Sequence, residues 1–241
     1  MLEGWVSVRL LRECSRRLNV SYRALSPRVL RRWWRTLALG MAGVFLLTVV
    51  LVMVGSRLEA SGALAWEGQA LRRFVDAAPV TFNTAIWMDA GGNGLVLWLG
   101  VLTFAALAAW NGLALRALTL LVGFTAAYVP FVAGWLLWRR ARPLEVEAGI
   151  ATPGALASFP SGHVVQAVVA FGILAHLWAS STRSRTEALL AWLIACAGVA
   201  AVVVARLRLG AHWPTDIAAG FLLGAAWLAV LVAALRRAEA G

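Results

Sequence analysis

The sequence predicts an all-α, polytopic membrane protein with about six transmembrane helices, and three observations predict it. Of 241 residues, 61% are hydrophobic and only 14% charged, against about 25% charged in an ordinary soluble domain. Apolar runs recur at about 36–55, 94–111, 117–138, 164–180, 188–205 and 214–235, each close to the roughly 20 residues a helix needs to cross a bilayer. Polar or glycine-containing turns such as Asn111-Gly112 and Ser180–Arg185 separate them, without internal repeats or low-complexity linkers. A water-soluble globule and a disordered chain are both excluded. The net charge of +11 would suit nucleic acid, but spanning runs have no use in a nucleic-acid-binding domain, so anionic membrane lipid is the expected partner.

The chain divides into a basic cytoplasmic segment (1–35), a six-span membrane domain (36–235) and a short tail (236–241). Residues 1–35 carry nine arginines against Glu3 and Glu13, with Val8, Leu11 and Leu18 at helical spacing. This pattern predicts a basic amphipathic helix on an anionic leaflet. Ser26-Pro27 has the form of a cap and first-turn proline restarting a helix, and Trp33 and Trp34 fall where an aromatic belt meets the membrane. The run at 36–55 is expected to be a retained signal-anchor, because the preceding basic region is too long for a signal peptide and the run has full spanning length. Residues 56–93 mix Trp66, Leu71 and Phe74 with Glu67, Arg72, Arg73 and Asp76, break at Pro79 and at Gly91-Gly92-Asn93-Gly94, and predict short interfacial helices. The tryptophans at 98, 110, 138 and 178 lie near span ends and read as belt residues. Cys14 and Cys196 sit in unlike surroundings and predict no shared disulfide.

All 22 basic side chains are arginine; there is no lysine. With six spans both termini share one side, and placing the N-terminus inside gives that side 14 arginines and the other side eight. The positive-inside rule therefore puts both termini in the cytoplasm of a cell inner membrane.

Three polar strings are odd for such a chain: Trp138-Arg139-Arg140-Ala141-Arg142-Pro143, Ser158-Phe159-Pro160-Ser161-Gly162-His163, and Arg206 to Asp216. Counting crossings brings all three to the outer face, and convergent polar groups at span ends mark a functional site. Each string suits phosphate. Pro160 in a first helical turn would leave the amides of Ser161, Gly162 and His163 pointing outward at a positive helix end. His212 and Asp216, four apart beside Pro214, let a carboxylate reach an imidazole and hold one tautomer. Arg142 and Arg206 can grip phosphoryl oxygens bidentately. Taken singly, Asp216 could cap a helix and Arg206 and Arg208 could anchor headgroups; their order on one face is what points to catalysis. His176, across the membrane, reads as a packed or interfacial residue.

Ser158-Phe159-Pro160-Ser161-Gly162-His163, followed by Arg206, five residues, His212, three residues and Asp216, resembles the second and third signature motifs of the type 2 phosphatidic acid phosphatase (PAP2) superfamily, and Arg142-Pro143 resembles the end of its first. The superfamily shares its helical core with vanadium haloperoxidases. The resemblance spans roughly 90–235, with its signature region at 138–216, and implies a lipid phosphate or diphosphate phosphatase. It implies His212 as nucleophile, Asp216 as its orienting carboxylate, His163 as general acid, and Arg142, Arg206, Ser161 and Gly162 as the phosphate-binding set. The lysine that opens the family's first motif is replaced by Trp135, with Arg139, one helical turn before Arg142, or Arg208 as candidate substitutes; Ala205 stands where the third motif has serine. No cofactor is implied. Glu145, Glu147 and Asp216 share no ligand spacing, which predicts metal-independent chemistry. Candidate substrates include undecaprenyl diphosphate, phosphatidylglycerol phosphate, phosphatidic acid and lipid A phosphate. The alternatives are a phosphotransferase of the same family, a transporter, which would place ionisable residues within the spans, and a vanadate-dependent haloperoxidase.

Overall fold

The computed structural model describes residues 2–78, 80–144, 146 and 157–239. Among them ten helices run in order: α1 (Leu2–Arg23), α2 (Pro27–Ala60), α3 (Trp66–Ala77), α4 (Phe82–Ala90), α5 (Gly94–Trp110), α6 (Ala114–Ala126), α7 (Tyr128–Leu137), α8 (Gly162–Ser181), α9 (Arg185–Arg208) and α10 (Pro214–Glu239). Six stretches are long and apolar enough to span: α2, α4 with α5, α6 with α7, α8, α9 and α10. Leu39, Leu46, Leu99, Leu136, Leu193 and Phe221 are exposed on the outside of the bundle, a girdle that only lipid would cover. The protein is an all-α, multi-pass membrane protein.

The local chemistry explains the element ends. Ser26 accepts a hydrogen bond from the Val29 amide and Pro27 opens α2, as the Ser-Pro pair predicts. No breaker follows before Ala60, so α2 is 34 residues long rather than the 20 of its apolar run, and at about 51 Å it overruns the ~30 Å hydrocarbon core. Asn93 caps α5 through Leu95, which turns the Gly91-Gly92-Asn93 break into a joint within one span. Pro79, Glu145 and Glu147 lie outside the described residues.

Helix α8 is the centre of the bundle. Its residues from Val164 to Ala170 are all buried, consistent with a run that is apolar around its whole circumference. Helix α10 crosses it closely because Gly220 and Gly224 form a G-x-x-x-G face. A methyl group at Gly220 would meet the Ser161 carbonyl at 2.7 Å, and one at Gly224 would meet Val168 Cβ at 2.9 Å. One turn on, Leu228 fills the notch left by Gly172. This crossing sets the start of α10 beside the start of α8.

Two expectations about tryptophan are corrected. Trp33 is not a belt residue: it is wholly buried and donates to Thr119 Oγ1 at 3.0 Å, because α2 starts early enough to carry it into the core, whereas its neighbour Trp34 is exposed. Trp98 and Trp138 also pack inward, Trp98 donating to Tyr128 at 3.2 Å and Trp138 stacking on Phe159 at 4.8 Å. Helix α1 does not stand apart from the bundle. Arg17 caps the end of α5, donating to the Trp110 carbonyl at 3.1 Å with its guanidinium 4.5 Å above the indole. Cys14 and Cys196 are free thiols.

Gly220→Ala should lower the thermal midpoint in detergent, since its new methyl group faces backbone that cannot step aside, an overpacking cost of about 1–3 kcal/mol. Gly43→Ala and Gly100→Ala, where no atom lies within 4 Å of the added carbon, should be neutral or mildly stabilising by the helix preference for alanine. Equal midpoints for all three variants would refute the close α8/α10 crossing.

Candidate active site

The three polar strings meet at one end of the bundle, tied by backbone hydrogen bonds. The Ser158 amide donates to the Arg140 carbonyl at 2.9 Å and the Ser161 amide to the Asp216 carbonyl at 3.1 Å. The Trp213 indole donates to the Ala141 carbonyl at 2.8 Å. Ser161 is the N-cap of α8, so Pro160 precedes the helix instead of sitting in its first turn, and the Ser161 amide is already taken. The amides of Gly162 and His163 meet no acceptor among the described residues and remain as donors at the positive helix end.

His212 lies in the loop between α9 and α10, fully enclosed. Its Nδ1 is 2.8 Å from the Ser158 carbonyl and 3.6 Å from Asp216 Oδ2. A carbonyl can only accept, so Nδ1 carries the proton and Nε2 keeps its lone pair. The expectation that Asp216 grips the imidazole is thus corrected in detail: the Ser158 carbonyl fixes the tautomer, and Asp216 supplies a carboxylate just beyond hydrogen-bond range. Burial holds the imidazole well below its ordinary 6.5, with the charges of Arg206, Arg142 and His163 acting the same way. The ring is therefore neutral at neutral pH.

Asp216 is held by other partners. Its Oδ2 accepts from the Trp213 amide at 2.9 Å, an acid three residues into α10 reaching back over the helix start as in a capping box. Its Oδ1 accepts from Arg140 at 2.8 Å. Arg140 also donates to Thr215 Oγ1 at 2.9 Å and pairs with the buried Glu67 and with Glu59. Glu67 in turn accepts from the Thr215 amide at 2.9 Å and its hydroxyl at 2.8 Å. Burial alone would push the Arg140 guanidinium down; Asp216 and Glu67 outweigh it and hold it above its usual value.

Arg139 does not replace the family lysine. It is exposed and makes no hydrogen bond or ion pair among the described residues. The helical spacing that joined Arg139 to Arg142 fails because the helix stops at Leu137 and the chain continues extended, with Trp138 at φ −138° and ψ 100°. In an extended segment alternate residues share a side, so Arg140 and Arg142 turn inward together. Arg208 is engaged elsewhere, donating to the Val80 carbonyl at 3.0 Å. Trp135, in the lysine position, donates to the Pro160 carbonyl at 3.1 Å and so braces the loop before α8.

The remaining polar groups face one another around His212. Arg142 is half-buried and donates to the Ala211 carbonyl at 2.7 Å; burial, and after it Arg206, lowers its pKa from the usual arginine value. Arg206, in the last turn of α9, pairs through Nη1 with Asp89 at 2.9 Å. His163 lies within electrostatic reach of Arg206, Asp89 and Arg142. Among the described residues three buried side-chain atoms have no hydrogen-bond partner: Ser161 Oγ, Arg206 Nε and Asp89 Oδ1. Orphaned polar atoms at this density of burial call for a polar ligand. No group of acids, histidines and cysteines able to hold a metal ion occurs among the described residues.

Sequence reasoning missed Arg140, Glu67 and Asp89. Glu67 and Leu71 share one face of α3 and both are buried, a spacing visible in the sequence. Asp89 is the one acid in the stretch 77–138, which also could have singled it out.

A bundle that gathers these buried polar groups at the ends of its spans is suited to bind a phosphoryl group at the membrane. The chain belongs to the PAP2 superfamily, whose model matches residues 116–239. Among solved structures it resembles the transmembrane PAP2 type phosphatidylglycerolphosphate phosphatase from Bacillus subtilis, with TM-score 0.65 and 19% identity over 82% of this chain and 96% of that one. No curated protein sequence matches the chain.

Arg140→Gln should strip two buried carboxylates of their countercharge and cost about 3–5 kcal/mol, read as a drop in thermal midpoint. Arg139→Gln should stay within about 0.5 kcal/mol of the parent. Similar losses in both would show that Arg140 does not hold the network.

Proposed function

We propose that this protein hydrolyses the phosphomonoester or pyrophosphate bond of a membrane lipid phosphate or diphosphate through a phosphohistidine on His212. The observation that carries this reading is the pair of buried, unpartnered donors, Ser161 Oγ and Arg206 Nε, beside a neutral histidine whose Nε2 is free to attack. In the first step Nε2 forms a bond to phosphorus, the bond to the leaving oxygen breaks, and His163 gives that oxygen a proton. The resulting imidazolium is stabilised by the Ser158 carbonyl and the nearby Asp216. In the second step His163 takes a proton from water as the water oxygen attacks phosphorus, which releases phosphate and restores His212. Arg142, Arg206, Ser161 and the free amides of Gly162 and His163 bind the phosphoryl oxygens and the charge they gain. Every group in this scheme comes from the protein, so the proposed chemistry calls for no metal ion.

The five residues between α9 and α10 hold His212 at the end of the bundle, which favours a phosphate at headgroup depth. The likeness to a phosphatidylglycerolphosphate phosphatase supports a glycerophospholipid phosphate, with undecaprenyl diphosphate and phosphatidic acid as further candidates. The arginine asymmetry supports a cell inner membrane location with cytoplasmic termini and the site at the periplasmic or extracellular face. At the opposite end, Arg32, Arg35 and Arg237 line a cleft of about 850 Å³ with Leu39 and Val230, a combination that suits an anionic phospholipid headgroup and its first methylenes.

Phosphate release from lipid phosphates in detergent should fall at least about 10³-fold in His212→Ala and should be unchanged by chelator. Full activity in the variant would rule out the phosphohistidine, and loss on chelation would mean a metal enzyme. The nucleophile is active when neutral, and its surroundings lower its pKa, so the acid limb of kcat/KM should lie below 6.5. Arg142→Gln, by removing a cation that disfavours the imidazolium, should move that limb upward.

A further inference from the structure

Asp89 is bonded to Arg206 of the proposed phosphate-binding set and has nothing in the proposed mechanism to do. It is the penultimate residue of α4, two before the glycine joint, and lies against the last turn of α9. One oxygen, Oδ2, accepts from Arg206 at 2.9 Å. The other, Oδ1, is buried and unpartnered, as are Arg206 Nε and Ser161 Oγ. A phosphoryl group seated on His212 offers acceptor oxygens to those two donors. A fully deprotonated one offers nothing to Asp89 Oδ1 except another anionic oxygen, and a buried carboxylate oxygen facing an acceptor is both unsatisfied and repelled.

The charges agree with the hydrogen-bond inventory. Asp89 opposes Arg206, and among the described residues the other two buried carboxylates, Glu67 and Asp216, are engaged by Arg140. The family's further cation is absent because Trp135 occupies its place. Among the described residues, Arg206 from α9, Asp89 from α4 and Arg142 from the extended segment act electrostatically on His163 of α8, and Arg206, Arg142 and His163 act on His212 in the loop before α10.

Resting on the phosphatase reading, we propose that Asp89 Oδ1 accepts a hydrogen bond from a proton-bearing oxygen of the bound phosphoryl group, so that the site takes phosphate in its hydrogen-bearing forms and rejects oxyanions that carry no proton. Asp89 is then a specificity-determining residue. It selects the protonation state of the group that reacts, and holds Arg206 in place with its other oxygen.

The test is product-type inhibition of lipid phosphate hydrolysis by inorganic phosphate and by sulfate at pH 7 and matched ionic strength. The two anions are similar in size, but sulfate has no proton to give. In the wild-type protein phosphate should compete at least about 30-fold more tightly than sulfate, the scale of one buried unsatisfied acceptor. In Asp89→Asn the side-chain oxygen can still accept from Arg206 while the amide presents a donor, so the ratio should shrink to within about 3-fold. Equal inhibition by the two anions in the wild type, or a ratio unchanged in the variant, would overturn the role of Asp89 and leave the phosphatase reading standing. Failure of both anions to compete would instead overturn the phosphoryl pocket itself. Should Asp89→Asn not fold, the wild-type protein decides through a second pair. Methylphosphonate, which largely keeps its second proton at pH 7, should inhibit more tightly than trifluoromethylphosphonate, which has lost it; equal inhibition overturns the proposal.

Discussion

The guanidinium of Arg140 is the point from which the catalytic end of this protein is hung. It is buried between Asp216 and Glu67, reaches Thr215, and lies 5.1 Å and 5.3 Å from the rings of Trp138 and Trp213. These partners come from three parts of the chain: the extended segment after α7, helix α3, and the start of α10 with the residue before it. Burying one cation with two carboxylates is tolerable only when nearly every donor and acceptor is matched, and here the Thr215 amide and hydroxyl and the Trp213 amide complete the set. The consequence is positional. Asp216 cannot drift toward or away from His212 without breaking a bond to Arg140 or uncapping α10.

Packing supplies the second constraint. The glycines of α10 bring it against α8, and the Ser161 amide bonds to the Asp216 carbonyl at 3.1 Å, so the two helix starts are locked in register. Trp135 adds a strut by holding the Pro160 carbonyl. The lysine position of the family, occupied by Trp135, thus serves as support rather than charge.

The spans and the three polar strings were legible in the sequence because hydropathy and motif spacing are local signals. The meeting of His212, His163, Arg142, Arg206, Ser161 and Asp216 at one end followed from counting crossings. What was not legible depended on local geometry or on distant partners. Arg139 and Arg140 are neighbours of identical type, and which one turns inward depends on where α7 ends, a boundary that apolar content does not mark. Trp33 reads as a belt residue until α2 is known to begin at Pro27. Asp89 and Glu67 lie outside every motif, and their roles arise from arginines 117 and 73 positions away. The choice of Ser158's carbonyl over the carboxylate for Nδ1 is a matter of less than 1 Å, below anything spacing can resolve.

Asp216 is at once a carboxylate 3.6 Å from His212 and the cap of the final span. Assembly of the pocket and the start of α10 are therefore a single event in biogenesis. A chain arrested before its last span has been inserted would hold Arg140 and Glu67 without their third member, and His212 without its carboxylate. Such a chain would lack the arrangement on which the proposed chemistry depends, so the site is assembled only with completed membrane integration.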